Sequence, residues 1–387
     1  MLLTDEEKRM QDGGSGRLVR AALENIIRYA EVLCADRLCR VTKATVFCGA
    51  HNYLGVLASE DPDEVFSRVH LAKDEVIPFD RTHPGCYVQS DVAPCDPDGW
   101  SPFGQSETFF RKNERFLEHA RQAGVIIAGT CAPYLTGWLP VKGEHFVTTE
   151  SGVTVIGNAL WGAMANADGI EAAFWSAICG RTPLWGNHLP ENRAGTHAVR
   201  IAERPRSVFD WDVLGTAVGS RMPGGAVPVM IGDFHGASFH HLRQFCTSLA
   251  VTSSCEMCHI VGITPEARSS EDAFQGRPSV ADAIIDRGDL DAAYRSICAD
   301  GAGPVDLVSL GCPHYDIDQV KQVADLLHGR KVHPEVDLMV WTAYPVKAMA
   351  DVNGYTRRIE AAGGRVCTST CPTTIGRPLL ASRAAMV

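Results

Sequence analysis

Three cysteines occupy similar positions in the sequence and could act as metal ligands. Cys131, Cys312 and Cys371 each follow a short run that is typical of a buried strand, and a proline comes within two residues of each. The carboxyl ends of such strands form the sheet edge where α/β proteins place their ligand sites. Three thiolates gathered there suit an iron–sulfur cluster that leaves one iron position open to substrate.

The alternative is that these residues are three of the chain's fourteen cysteines, buried as small apolar side chains. Their spacing lacks the closely paired ligands of a strong metal motif. The one Cys-x-x-Cys motif, from Cys255 to Cys258, could be a redox pair. However, it leads directly into a strand-like run, whereas a thioredoxin-like motif opens a helix. From spacing alone, both interpretations of the three cysteines stay open.

Further polar clusters place histidines beside turns, carboxylates or thiols. Such groups suit hydrogen bonding around an anionic substrate or a metal cluster. A single histidine of this kind more often has a structural role, but several in one chain favour a shared site. The clusters are residues 131–151, 186–193, 258–267 and 311–314.

The elements that must position these residues alternate between strands and helices, which predicts an α/β fold of mainly parallel sheets with flanking helices. A capping box at Thr4 and Glu7 indicates the first helix. The Pro-, Asp- and Gly-rich segment 78–103 is expected to be a long ordered loop that either shapes a site or crosses the surface. We predict helices at 18–35, 107–123 and 320–328, and strands at 44–48, 125–130, 153–157, 227–232, 259–263, 305–311, 336–342 and 365–370.

Length and composition limit the class of protein. The 387 residues suffice for two or three domains, which we place at 1–140 with the first cysteine, 141–235 with polar loops, and 236–387 with the other two cysteines. A net charge of −10 without a basic cluster argues against nucleic acid as a partner. The absence of a signal-like start or a long apolar stretch predicts a cytoplasmic protein without membrane contact. Phosphate-binding glycine loops are also absent.

Several motifs together resemble aconitase X, the divergent branch of the aconitase superfamily. They include Thr-Cys-Ala-Pro-Tyr-Leu at 130–135, Gly-Glu-His at 143–145, His-Ile-Val-Gly-Ile-Thr-Pro-Glu-Ala at 259–267 and Gly-Cys-Pro-His at 311–314. Cys131, Cys312 and Cys371 coincide with motifs of this family. The resemblance therefore favours the cluster interpretation of these three residues.

The resemblance implies a multi-domain, aconitase-like arrangement around a central [2Fe-2S] or [4Fe-4S] cluster. It implies a hydro-lyase that removes water from a small hydroxy acid, with cis-3-hydroxy-L-proline as the expected substrate and a substrate similar to mevalonate 5-phosphate as the alternative. Iron acts as Lewis acid on the leaving hydroxyl while a base removes the proton next to the carboxylate. A small swivel-domain subunit on a separate chain is the expected partner.

Residue roles follow from the matching motifs. We predict that Cys131, Cys312 and Cys371 hold the cluster. The predicted catalytic residues are His145, Glu150, His188, His259 and His314. The predicted substrate-binding residues are Tyr134, Ser151, Asn158, Arg193, Thr264 and Glu266.

One segment departs from the family pattern. Met164, Ala165 and Ala167 stand where the family usually has arginine, threonine and arginine. Methionine cannot make the paired hydrogen bonds by which arginine recognises a carboxylate or phosphate. Either another residue binds the substrate anion, or the substrate differs, or the chain is a non-catalytic cluster-binding subunit.

Overall fold

The computed structural model describes residues 1–49, 59–93, 95–97, 100–298 and 304–375. Over these residues it is an α/β structure with three parallel sheets and one antiparallel strand pair, as the alternation of elements predicted. No helix within these ranges has the length and apolar character that crossing a membrane requires.

The first part of the chain forms a parallel sheet with the strand order β3-β2-β4, and a separate pair in which β1 and β5 run antiparallel. The predicted capping box at Thr4 is confirmed at the start of α1. The elements are α1 (Asp5–Gln11), α2 (Arg17–Val32), β1 (Leu38–Arg40), β2 (Lys43–Val46), α3 (Pro62–Val65), β3 (Tyr87–Ser90), α4 (Glu107–Gln122), β4 (Phe146–Val147), α5 (Ser151–Trp161), α6 (Ile170–Cys179) and β5 (Arg181–Pro183).

The middle and last parts each contain a further parallel sheet. Its strand order is β8-β7-β6-β9 in the middle part and β10-β11-β12 in the last part. The middle elements are β6 (His197–Ile201), α7 (Val208–Arg221), β7 (Pro228–Ile231), α8 (Phe239–Thr252), β8 (His259–Ile260), α9 (Ser270–Phe274), β9 (Ala281–Ile285) and α10 (Arg287–Ile297). The last are β10 (Leu307–Tyr315), α11 (Ile317–Leu326), β11 (Asp337–Thr342), α12 (Tyr344–Val352), α13 (Tyr355–Ala361), β12 (Gly364–Thr368) and α14 (Pro372–Ile375).

Three expectations for individual segments differ from the structure. Residues 153–157 lie in helix α5 instead of a strand, because a short apolar run cannot distinguish a buried helix from a buried strand. Residues 125–130 do not form a regular strand, although Ile126 lies beside β3 and hydrogen-bonds with Val88 and Ser90. The segment 78–103 contains strand β3, so it is not only a loop.

The sheets also show how the chain is divided. Strand β4 pairs with β2, and β8 pairs with β7. The domain boundaries placed near residues 140 and 235 therefore each fall between two strands of one sheet.

Helix α5 and the sheet edges define where the site lies. The carboxyl edge of the first sheet faces the carboxyl edge of the last, where the Ala93 amide donates to the Ser369 carbonyl at 2.5 Å and the Thr368 amide donates to the Asp96 carboxylate at 2.7 Å. Helix α5 begins at this junction and runs back under the first sheet. Its 11 residues correspond to a length of about 16 Å. Gly157 lets it approach β4 closely, since a Cβ there would lie 2.3 Å from the Phe146 ring.

Candidate active site

The three predicted cluster cysteines lie on three segments that meet between the facing sheet edges. Cys131 follows the extended residues beside β3, Cys312 lies in the irregular part of β10, and Cys371 lies between β12 and α14. Cys131 and Cys371 are 240 residues apart in the sequence. Their approach follows from parallel strand order, which collects carboxyl ends at one edge.

His314 fastens these segments to one another. Its Nε2 lies 3.0 Å from the Thr370 carbonyl oxygen and its Nδ1 lies 3.0 Å from the Thr130 hydroxyl. A carbonyl can only accept, so Nε2 carries the proton and Nδ1 accepts from Thr130. The backbone N–H of His314 donates to Cys131 Sγ at 3.4 Å. Burial lowers the pKa of His314 to about 4, which keeps the ring neutral and this arrangement fixed.

The environment of the sulfurs suits a bound metal centre. Burial, followed by the nearby Glu150 carboxyl, raises the pKa of Cys131 well above its usual range. Cys312 keeps part of its surface exposed, but the protein around its sulfur still raises its pKa to about 11 by desolvation, with Cys371 as the next contribution. Charge on Cys371 acts on both other thiols, so the three sulfurs are electrostatic neighbours. The Cys131 and Cys312 thiols, whose pKa values are raised, would be stabilised as thiolates by a bound metal. The donor set therefore fits an iron–sulfur cluster.

A pair of acidic side chains borders the cysteines. Asp91 directly follows β3 and accepts hydrogen bonds from the Thr149 hydroxyl at 2.5 Å and the Val92 amide at 2.6 Å. Burial raises the pKa of Asp91 to about 6. Burial and the Asp91 charge raise the pKa of Glu150, its hydrogen-bonded neighbour, well above the usual range. Two such groups in contact retain one proton between them near neutral pH.

One buried cation adjoins the same place. Arg243 of α8 donates to Gln319 at 2.5 Å and to the His314 carbonyl at 3.5 Å, while its Nε has no hydrogen-bond partner within the described ranges. The buried Tyr134 ring lies nearby, and the Arg243 charge partly offsets the rise in the Tyr134 pKa that burial causes. Ser151 is exposed at the first turn of α5. Neither Arg243 nor Asp91 was identified from the sequence. Asp91 could have been found, because it follows a strand at the same sheet edge.

The remaining predicted residues lie at the other end of α5. There Arg193 uses all five of its N–H donors within the protein: they reach the Glu266 carboxylate, the side-chain and backbone oxygens of Asn158, and the Asn187 carbonyl. His259 Nε2 lies 2.8 Å from the Arg193 carbonyl. Thr264 hydrogen-bonds back to Ile260 and closes a turn after β8. In this structure these side chains join elements to one another, and their predicted catalytic and substrate-binding roles stay predictions.

His145 and His188 also lie away from the cysteines. Their Nδ1 atoms are 3.0 Å apart, at the amino end of β4. Met164 pairs with His145 through an isolated bridge. The segment that departs from the family pattern thus follows the end of α5 that is opposite the cysteines.

The predicted residues therefore form two groups at opposite ends of α5. The first group, at the facing sheet edges, comprises Cys131, Tyr134, Glu150, Ser151, Cys312, His314 and Cys371. The second group comprises His145, Asn158, His188, Arg193, His259, Thr264 and Glu266.

Comparisons with known proteins cover nearly the whole chain. Family models of the first, second and third domains of aconitase X match residues 1–191, 195–295 and 305–387. The phosphomevalonate dehydratase large subunit of Methanothermobacter thermautotrophicus is 32% identical, over 94% of this chain and 86% of that protein. The cis-3-hydroxy-L-proline dehydratase of Pseudomonas aeruginosa is 34% identical, over 95% of this chain and 61% of that protein. The crystal structure of Thermococcus kodakaraensis aconitase X in its holo-form superimposes with a TM-score of 0.79 at 27% identity, covering 96% of this chain and 89% of that one.

Proposed function

The chain belongs to the aconitase X family of hydro-lyases, and we propose that it dehydrates a small hydroxy acid between its facing sheet edges, with cis-3-hydroxy-L-proline as the first candidate. The observation that carries this proposal is the meeting of three cysteine segments, fastened by His314, beside the Asp91–Glu150 pair. This is the one place in the described ranges where predicted cluster ligands and an acid–base pair coincide.

In this proposal Cys131, Cys312 and Cys371 hold a [2Fe-2S] or [4Fe-4S] cluster. When bound, such a cluster supplies an iron Lewis acid for the leaving hydroxyl. His314 holds the ligand segments in place through its two ring nitrogens and its amide. Its neutral, buried ring acts as a positioning group for the cysteines.

The Asp91–Glu150 pair handles protons. At neutral pH the pair carries one negative charge and one proton, because two carboxyl groups in contact do not both ionise. The ionised group accepts the proton from the carbon next to the substrate carboxylate, and the protonated group donates to the departing hydroxyl, which leaves as water. The pair thus ends with one proton, as it began.

The charges around the cysteines favour a zwitterionic amino acid over a phosphate ester. Among the residues that the structure describes, Asp91, Glu150 and Asp212 influence the pKa of Cys131 or Cys312, and Arg243 is the cation that acts on Cys312. One guanidinium suits a single carboxylate, whereas acidic neighbours suit a ring ammonium and oppose a multiply charged phosphate. This supports cis-3-hydroxy-L-proline.

A second candidate substrate is similar to mevalonate 5-phosphate. Three phosphomevalonate dehydratase large subunits are matched over 86% to 89% of their length, compared with 61% for the Pseudomonas aeruginosa cis-3-hydroxy-L-proline dehydratase. The chain therefore resembles the former group more closely in extent, although its site charges favour the latter substrate.

The active form is proposed to include a small swivel-domain subunit on a separate chain. Three of the relatives are named as large subunits, a name that implies a small subunit. Cys312 is exposed in the chain alone, so one side of the proposed cluster site is open to solvent. A second subunit would cover it and exclude water.

None of the fourteen cysteines is in a disulfide, which supports a reducing compartment and hence the cytoplasm.

A substrate panel tests the proposal. The chain is co-purified anaerobically with its partner subunit, its iron content is measured, and the loss of water from cis-3-hydroxy-L-proline, its trans isomer and mevalonate 5-phosphate is followed. Turnover of the cis isomer supports the proposal, while turnover of the phosphate ester supports the second candidate. A complex with a full complement of iron that dehydrates none of a broad set of hydroxy acids would establish the non-catalytic interpretation instead.

A further inference from the structure

We propose that Cys39, His145 and His188 bind a single divalent metal ion of the zinc class, at a site separate from the three cluster cysteines. One ligand atom from each of these residues lies within 4.8 Å of the corresponding atoms of the other two. No family model, relative or similar structure described above assigns a metal to these residues. The site does not depend on the proposed reaction.

The site lies at the amino edge of the first sheet. Cys39 is in β1, opposite Thr182 of β5, and His145 immediately precedes β4. His188 ends a short 3-10 turn after β5. The proposed cluster lies beyond the carboxyl edge of the same sheet, past the ends of β2 and β3, so the two sites are on opposite edges. An ion here would join three segments that are distant in sequence.

The spacing of the donor atoms fits tetrahedral coordination. The two Nδ1 atoms are 3.0 Å apart. With bonds of roughly 2.0–2.1 Å to nitrogen and 2.3 Å to sulfur, the ligand atoms of a tetrahedral zinc ion are separated by about 3.3–3.6 Å. Shifts of well under about 1 Å would therefore seat an ion between the two rings. One thiolate and two imidazoles form a donor set that zinc prefers to magnesium or calcium.

Polar atoms around this place lack partners within the described ranges. His188 is buried, and its Nε2 has no hydrogen-bond partner. Its Nδ1 meets another imidazole nitrogen, and two such nitrogens can share only one proton. The nearby Asp168 is also buried: Tyr29 donates to its Oδ1 at 2.8 Å, while its Oδ2 has no partner. An ion bound to both Nδ1 atoms removes the need for a shared proton between the two rings, and water at its open position would be a donor for Asp168, whose charge acts on Cys39.

Three protein ligands leave the fourth tetrahedral position for water or another donor. In the alternative, the two histidines and the cysteine form only a local hydrogen-bonded cluster, in which Cys39 Sγ donates to the Thr182 carbonyl at 3.7 Å. A metal-free cluster would show no preference for zinc over other divalent ions. Measured affinity distinguishes these two cases.

The test uses the full chain with Cys131, Cys312 and Cys371 all changed to serine, so that cluster iron does not interfere. Zinc binding is measured by competition with a chromophoric chelator in this background. We expect one tightly bound zinc per chain. Adding Cys39→Ala or His145→Ala should weaken binding by more than about tenfold, since even changes behind the ligands have effects of this size. Cys34→Ala, which removes an exposed thiol five residues away, should leave zinc binding unchanged.

Cobalt gives a second, spectroscopic readout. In the same background, Co²⁺ should show the intense visible bands of tetrahedral coordination and a thiolate-to-cobalt charge-transfer band that disappears in Cys39→Ala. Zinc affinity equal in the background chain and in Cys39→Ala would overturn the proposal. So would a cobalt spectrum without thiolate charge transfer. Either result is independent of whether the native protein dehydrates any hydroxy acid.

Discussion

At the scale of single residues, His314 explains how cysteines that are far apart in sequence reach one place. Its neutral ring contacts Thr130, which precedes Cys131, and Thr370, which precedes Cys371. Its backbone amide donates to Cys131 Sγ. The ring is fully buried, so these contacts are not exchanged for water. The position of the cysteines therefore depends on packing and not on a local binding motif.

Cys312→Ser should remove most of the bound iron from anaerobically purified protein. A serine oxygen is a poorer ligand for an iron–sulfur cluster than a thiolate. Iron and sulfide per chain are measured chemically. Cys298→Ser, which changes a partly exposed cysteine in the middle part of the chain, is the matched control and should retain both. Equal iron in the two variants would remove Cys312 from the ligand set.

Asp91→Asn should lower kcat by about 100-fold or more, the usual contribution of a positioned acid or base, while leaving iron content unchanged. The amide cannot ionise, so position 91 can no longer take up or release a proton together with Glu150. The pH profile of kcat should lose the limb that reflects the Asp91 pKa of about 6. Thr149→Val removes only one hydrogen bond to Asp91 and should have a much smaller effect. An unchanged pH profile in Asp91→Asn would assign the base elsewhere.

At the scale of elements, the irregular part of β10 positions Cys312. The preceding residue, Gly311, has φ +118°, and a Cβ there would lie 2.4 Å from the Trp341 carbonyl oxygen. Register with β11 shifts between Leu310 and Tyr315. The backbone of β10 thus approaches β11 closely at the residue directly before Cys312, where the regular register is lost.

Gly311→Ala should therefore displace Cys312 and reduce iron content, at a cost of about 1–3 kcal/mol in the free energy of unfolding, as expected for an overpacked site. Urea denaturation and iron analysis measure the two effects. Gly329→Ala is the control, because Gly329 also has a positive φ of 71° but no neighbouring atoms within 4 Å of a Cβ. If both variants keep their iron, the bend at Gly311 does not position the ligand.

Sequence patterns predicted some elements better than others. Strands β2, β7, β10, β11 and β12 and helices α2, α4 and α11 lie close to where apolar period and capping residues placed them. Helix α5 was mistaken for a strand because it is buried all round and lacks a polar face. The division of the site residues into two groups could not be predicted, because it depends on the direction and length of α5. Arg243 carries no signal in the sequence, since nothing local distinguishes a buried helical arginine from an exposed one.

At the scale of the whole molecule, the first sheet has proposed sites on both of its edges. Beyond the carboxyl edge lie the cysteines and the acidic pair, and at the amino edge lie Cys39, His145 and His188. The network around Arg193 ties α5 to the middle part of the chain between them. The family-divergent segment at Met164 borders the amino-edge site, so its changes bear on that site first.

The core of the first part should make the protein sensitive to acid. His70 is packed between Phe66 and Phe174, and burial lowers its pKa to about 3. The unfolded chain takes up a proton near pH 6.5 and the folded chain does not, so stability is lost as pH falls through this window. Relative to His70→Phe, the wild type should lose up to about 1.4 kcal/mol of its free energy of unfolding for each pH unit below about 6.5. Urea denaturation of both proteins from pH 7 to pH 4 measures this, and a pH-independent difference would contradict it.

Anomalous diffraction at the iron edge, from crystals grown without oxygen, tests the central claim most directly. The account predicts iron density bonded to the sulfurs of Cys131, Cys312 and Cys371 at roughly 2.3 Å, with the Asp91–Glu150 pair beside it and no iron–sulfur cluster at the amino edge of the first sheet. Iron held by other residues, or any two of these sulfurs more than about 10 Å apart in an ordered crystal, a span that no single cluster bridges through such bonds, would contradict it.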